Sequence, residues 1–254
     1  MKVSAVVVSH GHAQEVAELL PALRPQVDEV VLVANKPGSV PPELPDGVRV
    51  VVNDRPFGFA ANVNRGLAAT DAELVVVANP DAVPEPGAVA DLVAFAEAHP
   101  RAGVVGPQMR FPDGAWQASR RRFPTVLGTL VRRTPLRRLA KPFERQRTHY
   151  LLDERPTEPV PADWMLGGFL LLRREMLDEL GGFDAGFRMY GEDIDLCYRA
   201  MKAGWERWYV PSALVTHAYD RVIDRRFLTR RTLWHWRGIL RFVRKHPERL
   251  RAVR

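Results

Sequence analysis

Four short apolar runs punctuate the first third of the chain: VSAVVVS at 3–9, EVVLVAN at 29–35, VRVVVN at 48–53 and AELVVVANPD at 72–81. They are rich in β-branched residues and barely interrupted by polar ones. Runs of this kind read as strands buried on both faces, as in a parallel sheet. The stretches between them change period. Val16, Leu19, Leu20 and Leu23 share one face of a helix predicted over 13–24. FAANVNRGLAAT after the third run, and Pro84–His99 after the fourth, also read as helices, the latter with prolines at its tolerated start. A β-α-β-α-β alternation predicts a parallel sheet with helices on both faces. Ligands of such sheets collect beyond the carboxyl ends of the strands. That rule points at Ser9, Asn35, Asn53 and Asn79-Pro80-Asp81.

After about residue 105 the pattern changes. GVVGPQMRFPDGAWQASRR reads as short strands around a turn at Pro112-Asp113-Gly114. Residues 124–160 are basic, proline-punctuated and poorly periodic, and read as a mobile loop region. Order returns with a strand at Gly168–Leu172 and a short helix stopped by Gly181-Gly182. ERWYVPSALVTHAY reads as a last strand carrying His217. Two domains are expected: an α/β unit over 1–220 and a basic amphipathic helical extension over 221–254.

Charge sharpens that division. The 254 residues carry 37 Lys and Arg against 30 Asp and Glu, a net charge of +7. Ten basic residues and one acid fall between Arg120 and Arg147, and eleven and one between Arg225 and Arg254, which leaves the rest at −12. An acidic body with two basic attachments is a poor nucleic-acid binder, and no nucleic-acid partner is expected; the attachments suit phosphate groups. In the second attachment Arg226, Arg230, Arg237, Arg241 and Arg244 share one side of a helix. Leu233, Trp236, Ile239, Leu240 and Val243 share the adjacent side. This is the pattern of a helix lying in a membrane surface, or of one docked on the body with a solvated basic face. The single cysteine, Cys197, excludes an intramolecular disulfide. The N-terminal apolar run lacks the length of a signal peptide, and no run nears the ~20 apolar residues of a membrane helix. A cytoplasmic protein is expected, with peripheral contact at the inner face of the plasma membrane through the basic tail.

Candidate chemistry lies in three places. Asp81 follows a buried strand, and reads either as a turn residue or as a ligand for a hard divalent cation. His217 ends a late apolar segment; one Asp and one His suit a metal that takes its other ligands from water and a diphosphate. Glu192 and Asp193 follow Gly191 at the start of a helix, among Phe187, Tyr190 and Trp205. They read either as acids favoured by the positive helix end or as a general base raised by desolvation. No Gly-x-Gly-x-x-Gly follows the first strand, and no Walker loop is present. SHGHAQE has one glycine and no Lys or Arg, which argues against a nucleotidyltransferase phosphate loop.

In order, the strand-Ser, the Asn-Pro-Asp, WMLGGFLLLRRE, GGFD..F..YGEDIDLCYR..GW and VTH resemble the inverting family 2 glycosyltransferases of GT-A fold. The similarity runs from Lys2 to about His217, and its nearest branch is the rhamnosyltransferase-like enzymes of bacterial cell-wall and polysaccharide assembly. It implies a Rossmann-like, mostly parallel central sheet with flanking helices. It implies that Asp81 and His217 hold Mn²⁺ or Mg²⁺, that Asp193 is the catalytic base and that Glu192 is the second candidate. Ser9, Asn35, Asn64, Asn79, Asp81 and Arg120 are implied at the nucleotide-sugar donor. Trp164, Gly167, Gly168 and Tyr190 are implied around the sugar and a glycan or lipid-linked acceptor. The chain departs from the family pattern at Ala34, where an acid often contacts the base, so no particular nucleotide is implied. A glycosyltransferase-like fold that binds nucleotide sugar without catalysis is the competing reading.

Overall fold

The computed structural model describes residues 1–124, 151–218 and 230–250. The strands of its first half are β1 (Val3–Ser9), β2 (Glu29–Ala34), β3 (Val48–Val52), β4 (Leu74–Ala78) and β5 (Ala82–Pro84). Helices α1 (Ala13–Leu23), α2 (Phe59–Leu67) and α3 (Ala88–Ala98) are interleaved with them. There follow strands β6 (Ala102–Arg110), β7 (Trp116–Gln117), β8 (Arg120–Arg121), β9 (Val160–Pro161), β10 (Trp164–Met165) and β11 (Phe169–Arg173). Helices α4 (Arg174–Leu180) and α5 (Glu192–Lys202), strand β12 (Glu206–His217) and helix α6 (Arg230–Lys245) complete the described chain.

The main sheet runs β3-β2-β1-β4-β11-β6-β12-β5. The pairs β3/β2, β2/β1 and β1/β4 are parallel, as is β12/β6; β11 enters antiparallel between β4 and β6. All seven residues of β1 and all five of β4 are buried. Their alternation feeds two cores. Val3, Ala5, Val7, Leu74 and Val76 pack under α1 and α3, while Val6, Val8, Val75 and Val77 pack under α2 and the α4–α5 layer.

Three features differ from the sequence reading. Pro84 belongs to strand β5, which pairs with β12 at its Val215, and α3 starts only at Ala88 after the left-handed Gly87 (φ 84°). Proline has no N–H to offer a ladder, and suits the end of such a short edge strand. β6 is one nine-residue strand, because pairing along β12 keeps it continuous past Pro107. β3, expected as a buried strand, is the edge of the main sheet and none of its residues is buried. Of the expected loop region 124–160, residues 125–150 lie outside the described residues, as do 219–229 and 251–254 of the C-terminal extension.

The topology places one functional edge. β1, β2 and β4 end there, β11 begins there, and β12, parallel to β6, delivers its last residue, His217, to the same edge.

Candidate active site

The Asn-Pro-Asp sequence forms a four-residue turn. The amide of Ala82 donates to the Asn79 carbonyl at 3.1 Å, with Pro80 at the second position, where its fixed φ fits. Two further bonds pin the turn: the Asn79 amide donates to Gly168 (2.8 Å), and the Ala218 amide donates to the Asp81 carbonyl (2.9 Å). The register of β5 on β12 sets Ala82 opposite His217. Asp81 Oδ1 therefore lies 3.5 Å from His217 Nε2. Burial opposes the Asp81 charge, but the His217 ring beside it prevails and holds the carboxyl below its ordinary range. His217 is itself buried, and its Nδ1 lies 3.0 Å from Gln117 Oε1. With that oxygen as acceptor, Nδ1 donates to it and the ring is fixed with Nε2 toward Asp81, where Nε2 donates to the carboxylate when protonated and is a nitrogen ligand when not. One ionised oxygen donor beside one oriented nitrogen donor fits a divalent cation that completes its shell from water and substrate. Among the described residues no group of three or more His, Cys, Asp or Glu side chains is arranged to hold a metal ion.

A second carboxylate pole lies across the Gly167–Gly168 dipeptide. The Gly167 amide donates to Asp193 Oδ2 (3.2 Å), and the Ile194 amide donates to Oδ1 (2.8 Å). A Cβ on Gly167 would come 3.2 Å from that of Asp193; one on Gly168 would come 3.0 Å from the His217 ring. The paired glycines thus leave room for both poles. Here burial wins: desolvation raises the Asp193 carboxyl above its ordinary range against its two amide donors and the charge of Arg121. Glu192 is raised too, by its own burial and then by the Asp193 charge, and its Oε2 has no hydrogen-bond partner among the described residues. Two such neighbours resist ionising together, so the pair is best described as sharing one proton.

Gly191 (φ 102°) opens α5, and Tyr190 before it is also left-handed (φ 71°), a strained state for a side chain of that size. Its ring meets His235 at 5.8 Å, and its carbonyl packs so closely on Gly238 that no side chain fits there. Asp195 has partners of its own. It is fully buried and accepts from Arg199 (2.7 Å) and Lys245 (2.9 Å), with His246 Nε2 2.9 Å from its other oxygen.

The remaining sequence candidates divide. Asn35 organises the ends of β1–β3: it contacts His10 (2.7 Å), donates to the Phe57 carbonyl, and accepts from Asn53 and the Phe57 amide. Ser9 is buried and its Oγ accepts from the His12 amide (3.2 Å). Asn64 spends both ends of its amide on the Phe183 backbone, at 2.7 and 2.9 Å. Trp164 is buried, donates to the Arg122 carbonyl (2.8 Å) and carries the Arg121 guanidinium 5.5 Å from its ring centre. Arg120 pairs with Glu154 (3.0 Å) and the Pro161 carbonyl (3.2 Å); its neighbour Arg121 is the arginine whose charge reaches Asp193.

Four cationic or titratable groups escaped the sequence reading. Burial lowers the His10 pKa, and the charges of Lys36, His12 and Arg188 lower it further; His12 also acts on Asp81. The two histidines of SHGHAQ, directly after β1, were the available signal. Lys36 and Arg188 reach this edge from distant segments.

Comparison with known proteins bears on the family and the fold. Residues 3–236 match the family described as glycosyltransferase like family 2. The N-acetylglucosaminyl-diphospho-decaprenol L-rhamnosyltransferase of Mycobacterium tuberculosis is 36% identical over 67% of this chain and 58% of its own length. Rhamnosyltransferase WbbL of Escherichia coli is 38% identical over 32% of this chain and 31% of its own. The chain therefore spans little more than half of the mycobacterial relative. Among solved structures, GalNAc-T7 with UDP, GalNAc and Mn²⁺ superposes on 98% of this chain and 50% of its own, with TM-score 0.70 at 19% identity. A Pyrobaculum calidifontis mannosyltransferase with GDP-Man and Mn²⁺ covers 98% of this chain and 72% of its own, with TM-score 0.56 at 16% identity. Those likenesses are of fold, the GT-A fold. The chain belongs to glycosyltransferase-like family 2, in its rhamnosyltransferase-like branch.

Proposed function

We propose that the chain is a metal-dependent, inverting glycosyltransferase. It would move a sugar, with rhamnose the first candidate, from a nucleoside-diphosphate sugar to a hydroxyl of a glycan or lipid-linked acceptor in cell-wall or polysaccharide assembly. The transferase unit is residues 1–220, and 221–254 are its C-terminal extension. The observation that carries this reading is the opposite tuning of two carboxylates across Gly167–Gly168: Asp81 held ionised beside His217, Asp193 raised by burial.

Asp193 takes the proton of the acceptor hydroxyl as that oxygen attacks the anomeric carbon. The bond to the diphosphate breaks on the opposite face, so the configuration inverts. A raised carboxyl suits this work, since a base is most effective when its pKa approaches the working pH. Mn²⁺ or Mg²⁺ held by Asp81 and His217 would supply charge neutralisation for the departing diphosphate. Lys36 and Arg188 add positive charge at the same edge. The activity for which the mycobacterial relative is named makes an N-acetylglucosaminyl-diphospho-lipid the first acceptor to try. A cytoplasmic protein in peripheral contact with the membrane, where such a lipid resides, belongs to this reading; no described helix is long and apolar enough to cross one.

The test is release of nucleoside diphosphate from dTDP-rhamnose and a panel of UDP- and GDP-sugars, with Mn²⁺, with and without that acceptor. Release that needs metal and is lost in Asp81→Asn is expected. Nucleotide binding without release from any donor, acceptor present, would overturn the reading in favour of a non-catalytic sugar-nucleotide binder.

A further inference from the structure

Helix α6 packs on the body with the side that amphipathicity would turn outward. Trp234 lies under Arg188, and Gly238 abuts the Tyr190 carbonyl. Arg241 and Lys245 pair with Asp184 at 2.7 and 2.8 Å, and Phe242 is buried against Tyr198. The inner side thus carries two of the helix's cations. Its apolar side is left out: Leu233 and Leu240 are 51% and 52% exposed, and Trp236, Ile239 and Val243 remain partly exposed. Arg237 and Arg244 share that outer side and are exposed, with no acidic partner among the described residues. Positions 233, 237, 240 and 244 recur at helical spacing, so they form one stripe roughly 16 Å long. The helix contains no acid.

We propose that this stripe is a docking surface for an anionic phospholipid bilayer, with Leu233, Leu240 and Trp236 entering the headgroup layer and Arg237 and Arg244 meeting lipid phosphates. Two features select this occupant. An apolar row flanked by unpaired arginines complements a surface that is apolar beneath and anionic above. A second copy of the chain fits worse, because a two-fold contact on this stripe would set arginine against arginine with no acid on either helix. Docking by this face leaves the inner contacts to α5 in place, and so holds the base-bearing helix close to the lipid surface. The proposal deepens the membrane contact in the functional reading above, but its geometry does not depend on which sugar is transferred.

The experiment is co-flotation of the full chain with vesicles, without sugar donor, so its outcome is separate from that of the donor-release test. Vesicles of phosphatidylcholine alone are compared with vesicles containing phosphatidylglycerol. Strong flotation only with the anionic vesicles is expected. Arg237→Gln/Arg244→Gln should bind about 30-fold more weakly, at ~1 kcal/mol per basic residue near such a surface. Leu233→Gln/Leu240→Gln should bind at least ~10-fold more weakly, through lost apolar burial. Both pairs are exposed, so an unchanged melting transition checks that each variant is folded. Equal flotation of wild type and folded variants would overturn the proposal, and so would equal binding to neutral vesicles. A dimer in solution that dissociates in Leu233→Gln/Leu240→Gln would overturn it in favour of self-association.

Discussion

Asp81 and Asp193 are the same chemical group at the same edge of one sheet, yet the fold gives them opposite characters. Asp81 stands on a tight turn between β4 and β5, beside a histidine that favours its charge. Asp193 stands at the start of a helix, where burial outweighs two amide donors and an arginine. The first is kept as an anion, as a metal ligand must be; the second is brought toward the range in which it can take a proton. Environment, more than residue type, assigns the role. The poles also differ in construction. Asp81 is set by neighbouring strand ends, whereas Asp193 depends on a loop, a helix and, through Asp195, on residues about fifty positions further along the chain.

The largest effect that would break this comparison is loss of the base. Asp193→Asn should lower transfer by about 10³-fold, the usual scale for a removed general base. Nucleotide binding should stay within a few-fold, because the donor pole is untouched. Single-turnover transfer and nucleotide titration measure the two quantities. Near-normal transfer in the variant would move the role to Glu192.

A smaller effect sharpens it. Asp193 has a folded-state carboxyl above its ordinary value, so its charge is lost as pH falls through that raised value. The acid limb of kcat/KM should therefore lie above the ordinary aspartate value of ~3.9. Glu192 is raised by burial and by the Asp193 charge, so it is the member that keeps the shared proton. Glutamine imitates a protonated glutamate. Glu192→Gln should then retain activity near neutrality to within about 10-fold, with the same acid limb. Stability follows the same sign. A raised carboxyl favours the fold at low pH, and that contribution is lost as pH rises through the folded pKa. Between about pH 4.5 and about pH 8 the wild type should lose melting temperature more steeply than Glu192→Gln. A pH series of melts compares them, and parallel curves would show that Glu192 does not hold the proton.

What the sequence made legible follows this difference in construction. β1, β2 and β4 were readable because a strand buried on both faces must be apolar throughout. The Asn-Pro-Asp turn was readable because proline and aspartate have turn preferences of their own. The base pole was only half readable. GEDID announced a helix start, and Arg199 four residues on was the one local partner that set Asp195 apart; its others, Lys245 and His246, no periodicity links to it. Arg120 and Arg121 are equivalent as letters and differ only in which side of β8 they occupy. The wheel for the last helix found its apolar and basic sides, but the side that packs is chosen by Asp184, Asp195 and Tyr190, far away in sequence.

The smallest predicted effect tests whether the base pole extends into α6. The amide of Asp195 donates to Gly191, one turn back in the helix whose first turn holds Glu192 and Asp193. Its carboxylate is held by Arg199, Lys245 and His246. His246→Ala removes one of three partners from a fully buried carboxylate, which costs about 1–3 kcal/mol of stability. A merely structural role would end there, with a lower melting temperature and unchanged kinetics in the folded fraction. If the contact also fixes the start of α5, kcat should fall by roughly 3- to 30-fold, the scale on which small misplacements of a base act. Nucleotide affinity at the Asp81 pole should not change, since no strand end is disturbed. His246→Gln can present an Nε2 donor to the same Asp195 oxygen, and should restore most of kcat. The decisive pattern is a kcat loss in His246→Ala, constant nucleotide affinity and recovery in His246→Gln. A loss of nucleotide affinity in step with kcat would mean that the two poles are not built independently, and that α6 steadies the whole edge of the sheet rather than the base alone.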